Sequence, residues 1–171
     1  YTGIKTFAVL SDGIEIENPK HLQAAMAKLK KLQQRVSRKT KGSANRKKAV
    51  KRLATMHEKV SNQRKDFANK LSHQIATNYD TVIVEDLNIA GMLKNNKLAL
   101  SIASLGLGSF YTMLNYKVAD RGGNYIKIGR FEPSSKTCSN CGNIYKDLKL
   151  SERNWTCTEC QTTHDRDLNA A

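Results

Sequence analysis

Two residue groups near the C-terminal end of the chain have the types and spacing for chemistry. Cys138, Cys141, Cys157 and Cys160 form two C-x₂-C pairs separated by fifteen residues. A C-x₂-C pair bends two sulfurs onto one tight knuckle, and two such knuckles offer the tetrahedral four-thiolate set that zinc takes. The intervening "GNIYKDLKLSERNWT" can return as a short hairpin to bring the knuckles together. The spacing predicts a zinc ribbon over residues 135–160, against the alternative of four free or disulfide-bonded thiols. Four thiolates leave no position for water, so this metal holds structure, with docking of nucleic acid as a further use, and does not catalyse.

The second group is acidic. Phosphodiester hydrolysis by paired divalent ions needs carboxylates that converge from separate elements. Glu85 ends the apolar run of "TVIVEDLN", where an acid either sits at a strand-end site or leaves the sheet for solvent. Asp165 and Asp167 lie in "HDRDLNAA". Two residues apart on a nascent helix, they cannot share a face, so at most one points inward. The plainer reading is a pair of helix N-terminal acids complementing the dipole.

The elements that would position these groups follow from periodicity. "TFAVLSDGIEIEN" reads as a β-hairpin with a Ser-Asp-Gly turn. From Pro19 the spacing changes: Leu22, Ala25, Met26, Leu29, Leu32 and Val36 recur at three and four, as do Val50, Leu53, Val60, Phe67, Leu71 and Ile75. Gly42 in "SRKTKGSAN" separates the two runs, which predicts two long helices in an antiparallel hairpin. Val82 to Val84 form a continuous apolar run, expected of a strand buried on both faces. Residues 101–120 read as helix, and Tyr125 to Ile128 as a further strand. This order is mixed α/β.

Charge is concentrated in the helical hairpin. Of a net +14, residues 20–70 hold seventeen Lys or Arg against two acids, Glu58 and Asp66, and the remainder is near neutral. Such a surplus exceeds what solubility asks and points to a polyanion, whose phosphates release counterions when neutralised. Lys28, Lys31, Arg35, Lys48 and Arg52, off the apolar stripe, are the candidate phosphate contacts. No secretory segment or long apolar run is evident, which places the expectation in solution, in a reducing cytoplasm, with no membrane partner.

"GIKTFAVLSDG", "IVEDLN", "FEPSSKTCSNCG" and "HDRDLNAA", in this order, resemble the RuvC-like nuclease half of the transposon-encoded OrfB/TnpB proteins, compact relatives of the type V CRISPR effector nucleases. The likeness covers essentially the whole chain. It implies an RNase H-like (RuvC-like) mixed sheet with an inserted basic helical hairpin (20–76) and an inserted zinc ribbon. The core would be residues 1–134 plus 161–171, interrupted by the ribbon at 135–160. It also implies a prokaryotic-type, nucleoid-associated setting, a guide RNA that selects a target DNA, and magnesium-dependent cleavage to a 5′-phosphate and 3′-hydroxyl. The family's second acid falls on Glu85 and its third on Asp167, with Asp165 less favoured; these two would hold magnesium. The first motif, Asp-x-Gly-x-Lys, departs: Tyr1-Thr2-Gly3-Ile4-Lys5 puts Tyr1 at the acid. Asp12 is not expected to deputise, lying roughly 30 Å along at ~3.3 Å per strand residue. The resemblance therefore leaves two expectations, a nuclease domain missing one acid or a cleavage-dead relative that acts by occupancy.

Overall fold

A computed structural model describes residues 1–130, 132–149 and 152–171. The chain divides into two compact units, one formed by Tyr1–Asn18, Ile83–Asn88 and Ile126–Ala171, the other by Pro19–Val82 and Ile89–Tyr125.

The second unit is mostly helical. α1 (His21–Ser37) and α2 (Ala44–Asn78) are the two expected helices. Gly42 takes φ +86 in the connection, a conformation that costs a side-chain-bearing residue ~1–2 kcal/mol. Ser43 then caps α2, its hydroxyl accepting from the Arg46 amide at 3.2 Å. Ala25 and Leu29 of α1 bury against Val60 of α2, with Leu22, Leu53 and Met56 packed on the same cluster. The helices run antiparallel, since Arg35 shares a recess with Asn45 and Lys48 while Lys28 shares one with Met56 and Lys59. Further along α2, the buried face Ala68, Leu71, Ser72, Ile75 and Ala76 serves α5 (Leu107–Asp120), whose Leu107, Phe110, Leu114 and Val118 are buried in turn. The single helix expected over 101–120 is instead broken. α4 (Ala99–Leu105) stops at Gly106, whose φ of +68 redirects the chain into α5. A short α3 (Ile89–Met92) precedes them. Gly123 is needed at the exit from α5, because a Cβ there would stand 2.6 Å from the Asp80 carbonyl oxygen.

The first unit opens with a two-stranded sheet. β1 (Thr6–Val9) pairs antiparallel with β2 (Glu15–Glu17), and Phe7, Ala8 and Val9 are all buried. The chain reverses before β1, so that Tyr1 and Thr2 run back alongside it. The Val9 amide donates to the Tyr1 carbonyl at 2.9 Å, and Thr2 bridges Ala8. This corrects the extended distance expected between Tyr1 and Asp12: the reversal brings Tyr1 beside Val9, and Asp12 is an exposed turn residue whose carboxylate accepts from the Ile14 amide at 3.0 Å.

β3 (Thr81–Glu85) pairs with β4 (Asn124–Ile128). The expectation that β3 is buried on both faces fails, because Ile83 is 58% exposed. A two-stranded pair leaves part of each strand uncovered where a wide sheet would not. β5 (Asn154–Thr156) and β6 (Thr163–Asp165) form a third antiparallel pair, and α6 (Arg166–Asn169) follows directly. The described strands thus assemble as three pairs in a mixed α/β chain.

Candidate metal centre and acidic site

Both expected knuckles form, by the same local device. In the first, the Gly142 amide donates to the Cys138 carbonyl at 2.8 Å; in the second, the Gln161 amide donates to the Cys157 carbonyl at 3.1 Å. The residue after each second cysteine is left-handed, Gly142 with φ +76 and Gln161 with φ +57. The four sulfurs lie within 4.8 Å of one another, with Cys138–Cys160 and Cys141–Cys157 each at 3.6 Å. A tetrahedron with zinc–sulfur arms of about 2.3 Å has edges of about 3.8 Å, so the donor set fits zinc.

The four thiols perturb one another. Hydrogen bonds from the Asn140 side chain and from Thr162 pull Cys160 down to about 5. Cys157 is lowered, chiefly by the Cys160 amide. Cys141, although helped by the Asn143 amide, is pushed up to about 12 by desolvation and the three neighbouring sulfurs. Four thiolates this close repel one another, and a divalent cation relieves that repulsion. Beneath them Trp155 stacks on Tyr145 (centroids 5.7 Å apart) and lies tilted against His164 (4.8 Å, planes 38° apart), and His164 Nε2 lies 3.1 Å from Cys138 Sγ. Leu148, Cys138 and Cys157 complete this small core.

Tyr1, Glu85 and Asp167 all lie in the first unit. Burial raises the pKa of the Tyr1 phenol; Asp167 adds to the rise, Arg166 opposes it, and Glu85 adds again. Tyr1 therefore stands within electrostatic reach of both acids. Glu85 ends β3, where its Oε1 accepts from the Ser134 hydroxyl at 2.9 Å. The neighbouring Asp86 is committed elsewhere, to Arg130 at 2.7 Å. Asp167 lies in the first turn of α6 and is bound by two guanidiniums, Arg153 on Oδ2 and Arg166 on Oδ1. Asp165 has the plainer role: its Oδ1 accepts from the amides of Asp167 (2.9 Å) and Leu168 (3.0 Å), capping α6.

A pair of magnesium ions does not fit these residues as they stand. Two-metal sites need several anionic oxygens. Here one of the three positions is a phenol, and Asp167 is already neutralised by arginine. Among the described residues, the cysteine set is the one cluster of three or more potential ligands.

The candidate phosphate-binding residues fall on the α1–α2 hairpin and are all exposed. Lys28, Arg35, Lys48 and Arg52 line the groove between the helices, whereas Lys31 does not. Sequence reasoning missed Arg153, Arg166 and Ser134, which hold the two acids. It also missed Asn169, which ties α6 to the first knuckle: its Oδ1 accepts from the Ser139 amide at 3.0 Å, and its Nδ2 donates to the carbonyls of Thr137 (2.7 Å) and Ser134 (3.3 Å). The alternation of charge in "HDRD" was the one signal available for Arg166.

A mixed α/β chain with a four-cysteine ribbon set beside converging acids defines a class, and comparison with known proteins names it. The OrfB_IS605 family, described as "Probable transposase", matches residues 2–96, and a "Cas12f1-like, TNB domain" matches residues 108–171. The chain belongs to the OrfB_IS605 transposase family. It is 45% identical over 169 residues to a Streptomyces pristinaespiralis protein named as an RNA-guided DNA endonuclease, covering 99% of this chain and 42% of that one. It is 29% identical over 184 residues to the Escherichia coli protein InsQ, which carries the same functional name, covering 99% and 46%. The fold resembles Cas12f1, solved by cryo-electron microscopy in complex with sgRNA and target DNA, with a TM-score of 0.66 at 18% identity over 99% of this chain and 46% of that one. The chain thus spans less than half the length of these proteins. Among the described residues, no helix is long and apolar enough to cross a membrane.

Proposed function

We propose that the chain is the RuvC-like nuclease domain of a transposon-associated, RNA-guided DNA endonuclease, with Tyr1 standing at its first acid position. What supports this reading is that Tyr1, Glu85 and Asp167, from three separate stretches of sequence, lie in one unit with Tyr1 in electrostatic reach of both acids. Guide RNA and target DNA are the partners, and the basic hairpin supplies phosphate contacts. Zinc braces the ribbon from which α6 emerges. Glu85 and Asp167 are the remaining acids of a site that would require a third to seat magnesium.

A second reading is favoured by two specific features, the phenol at position 1 and the double arginine grip on Asp167. In this reading the protein holds guide and target without cutting and acts by occupancy.

One experiment separates the two. The chain is grafted in place of the matched segment of the Streptomyces relative and given a guide, a target plasmid and a magnesium titration. A nuclease linearises the plasmid, and an occupancy protein only retards it. Tyr1→Asp is expected to raise cleavage at least tenfold. Equal cleavage with and without the substitution overturns the role given to position 1, and failure to bind the guided plasmid at all overturns both readings.

A further inference from the structure

We propose that the groove between α1 and α2 seats a single strand of RNA, its phosphates between two rails of cations and its unpaired bases on an apolar floor. Two recesses, of about 430 and 540 Å³, are joined through Leu32, Lys48 and Arg52, which line both. They form one continuous groove. Lys28 and Arg35 stand on the α1 side, and Lys48, Arg52 and Lys59 on the α2 side; no acid is among the described lining residues.

Helical spacing makes the rails. Positions 48, 52 and 59 fall on one face of α2, and a rise of 1.5 Å per residue strings them over about 16 Å. Positions 28 and 35 do the same on α1 over about 10 Å. Packed helices lie roughly 8–10 Å apart, so the rails face each other across the width of one backbone rather than a duplex.

The floor supplies the second argument. Leu32 and Met56 are half-buried and apolar. A duplex turns its base faces inward and has nothing to place against such a floor, whereas an unpaired strand can lay bases on it. The groove's polar groups favour RNA over DNA. Thr55 spends its hydroxyl proton on the Lys51 carbonyl at 3.0 Å, which leaves its oxygen to accept from a 2′-hydroxyl, the group that DNA lacks. The proposal rests on the nucleic-acid reading above but not on cleavage.

The test uses the zinc-loaded chain and fluorescence anisotropy with a labelled single-stranded 12-mer RNA, the DNA of the same sequence and an RNA hairpin duplex. The single-stranded RNA should bind at least tenfold tighter than the duplex and about threefold tighter than the DNA. The pair Lys48→Glu and Arg52→Glu should lower single-strand affinity at least tenfold and reduce the slope of log K against log salt by about 1.4, at roughly 0.7 per phosphate contact. Lys30→Glu with Lys47→Glu, off the groove, should change affinity less than threefold. Leu32→Asn should weaken binding about threefold and leave the salt slope unchanged, with helical circular dichroism intact. Equal loss from the groove and off-groove pairs, duplex or DNA bound as tightly as the RNA strand, or an acidic amphipathic peptide bound tighter than RNA, each overturns the proposal. Loss of guided plasmid targeting with RNA-strand binding intact would refute the proposed function and leave the groove assignment standing.

Discussion

Arg153, immediately before β5, reaches across to Asp167 and holds its Oδ2, while Arg166 holds Oδ1 from the adjacent position. The Arg166 and Asp167 side chains are 11% and 14% exposed, so this is a largely dry pair, and Arg153 is half exposed. Removing one partner of such a pair strands the other. Asp167→Ala should therefore cost about 2 kcal/mol by urea denaturation of the zinc-loaded chain, below the usual penalty for a fully buried pair because Arg166 also donates to the Glu152 carbonyl at 3.3 Å. Arg153→Gln should cost under about 1 kcal/mol. If Asp167→Ala leaves the urea midpoint unmoved, the grip is not structural.

Tyr1 gives a pH dependence of definite sign. Burial raises its phenol above the ordinary value of 10, so the folded state favours the neutral form. That stability is fully present below the unfolded value and is lost as pH climbs through the raised folded value. The urea midpoint should fall between pH 9 and 11, and Tyr1→Phe should flatten part of the fall. Tyr125, also raised by burial, accounts for another part. An unchanged alkaline profile in Tyr1→Phe would show the phenol to be open to solvent. At neutral pH Tyr1 is uncharged, so it supplies no anionic oxygen to the site proposed at Glu85 and Asp167.

Those elements that local pattern specifies were legible in the sequence. Leu22 to Val36 and Val50 to Ile75 repeat at helical spacing, and α1 and α2 form where that repeat runs. The cysteine spacing likewise specifies two knuckles, since each closes within its own few residues. Ile83 misled, because an apolar run reads alike in a strand covered on both faces and in one left half open. Gly106 was equally opaque, as a glycine inside a helical pattern becomes a break only when its φ turns positive. Ser134 and Arg153 could not be read at all. Their partners lie 49 and 14 residues away, and no periodicity links a hydroxyl or guanidinium to a carboxylate brought near by folding.

Trp155, the one tryptophan of the chain, reports on the ribbon without a label. It is 5% exposed, stacked on Tyr145 and tilted against His164 beneath the sulfurs. Binding free energy of a structural zinc is folding free energy for the module that holds it. A strong chelator at pH 7 should shift Trp155 emission to the red while most of the far-ultraviolet helical signal, which comes from α1, α2 and α5, persists. Cys157→Ser should give the same spectrum without chelator. Unshifted emission after verified zinc removal would mean that the aromatic core stands without the metal.

Asn169 joins the acidic site to the ribbon. Its amide makes three hydrogen bonds, accepting from Ser139 in the first knuckle and donating to the carbonyls of Thr137 and Ser134. Ser134 in turn donates to Glu85, so one side chain fixes both the knuckle and the residue that orients the acid. Three hydrogen bonds, at about 0.5–1.5 kcal/mol each and partly replaced by water, make Asn169→Ala cost about 2 kcal/mol. Aspartate can still accept from Ser139 but cannot donate to two carbonyls, so Asn169→Asp should lose nearly as much. Zinc affinity separates this role from simple packing. If Asn169 holds the knuckle, competition with a chromophoric chelator will show both variants binding zinc several-fold more weakly, whereas Leu168→Ala, at a 44% exposed neighbour, will not. Equal zinc affinity in all three would reduce Asn169 to an ordinary helix-end residue and remove the connection between ribbon and acid.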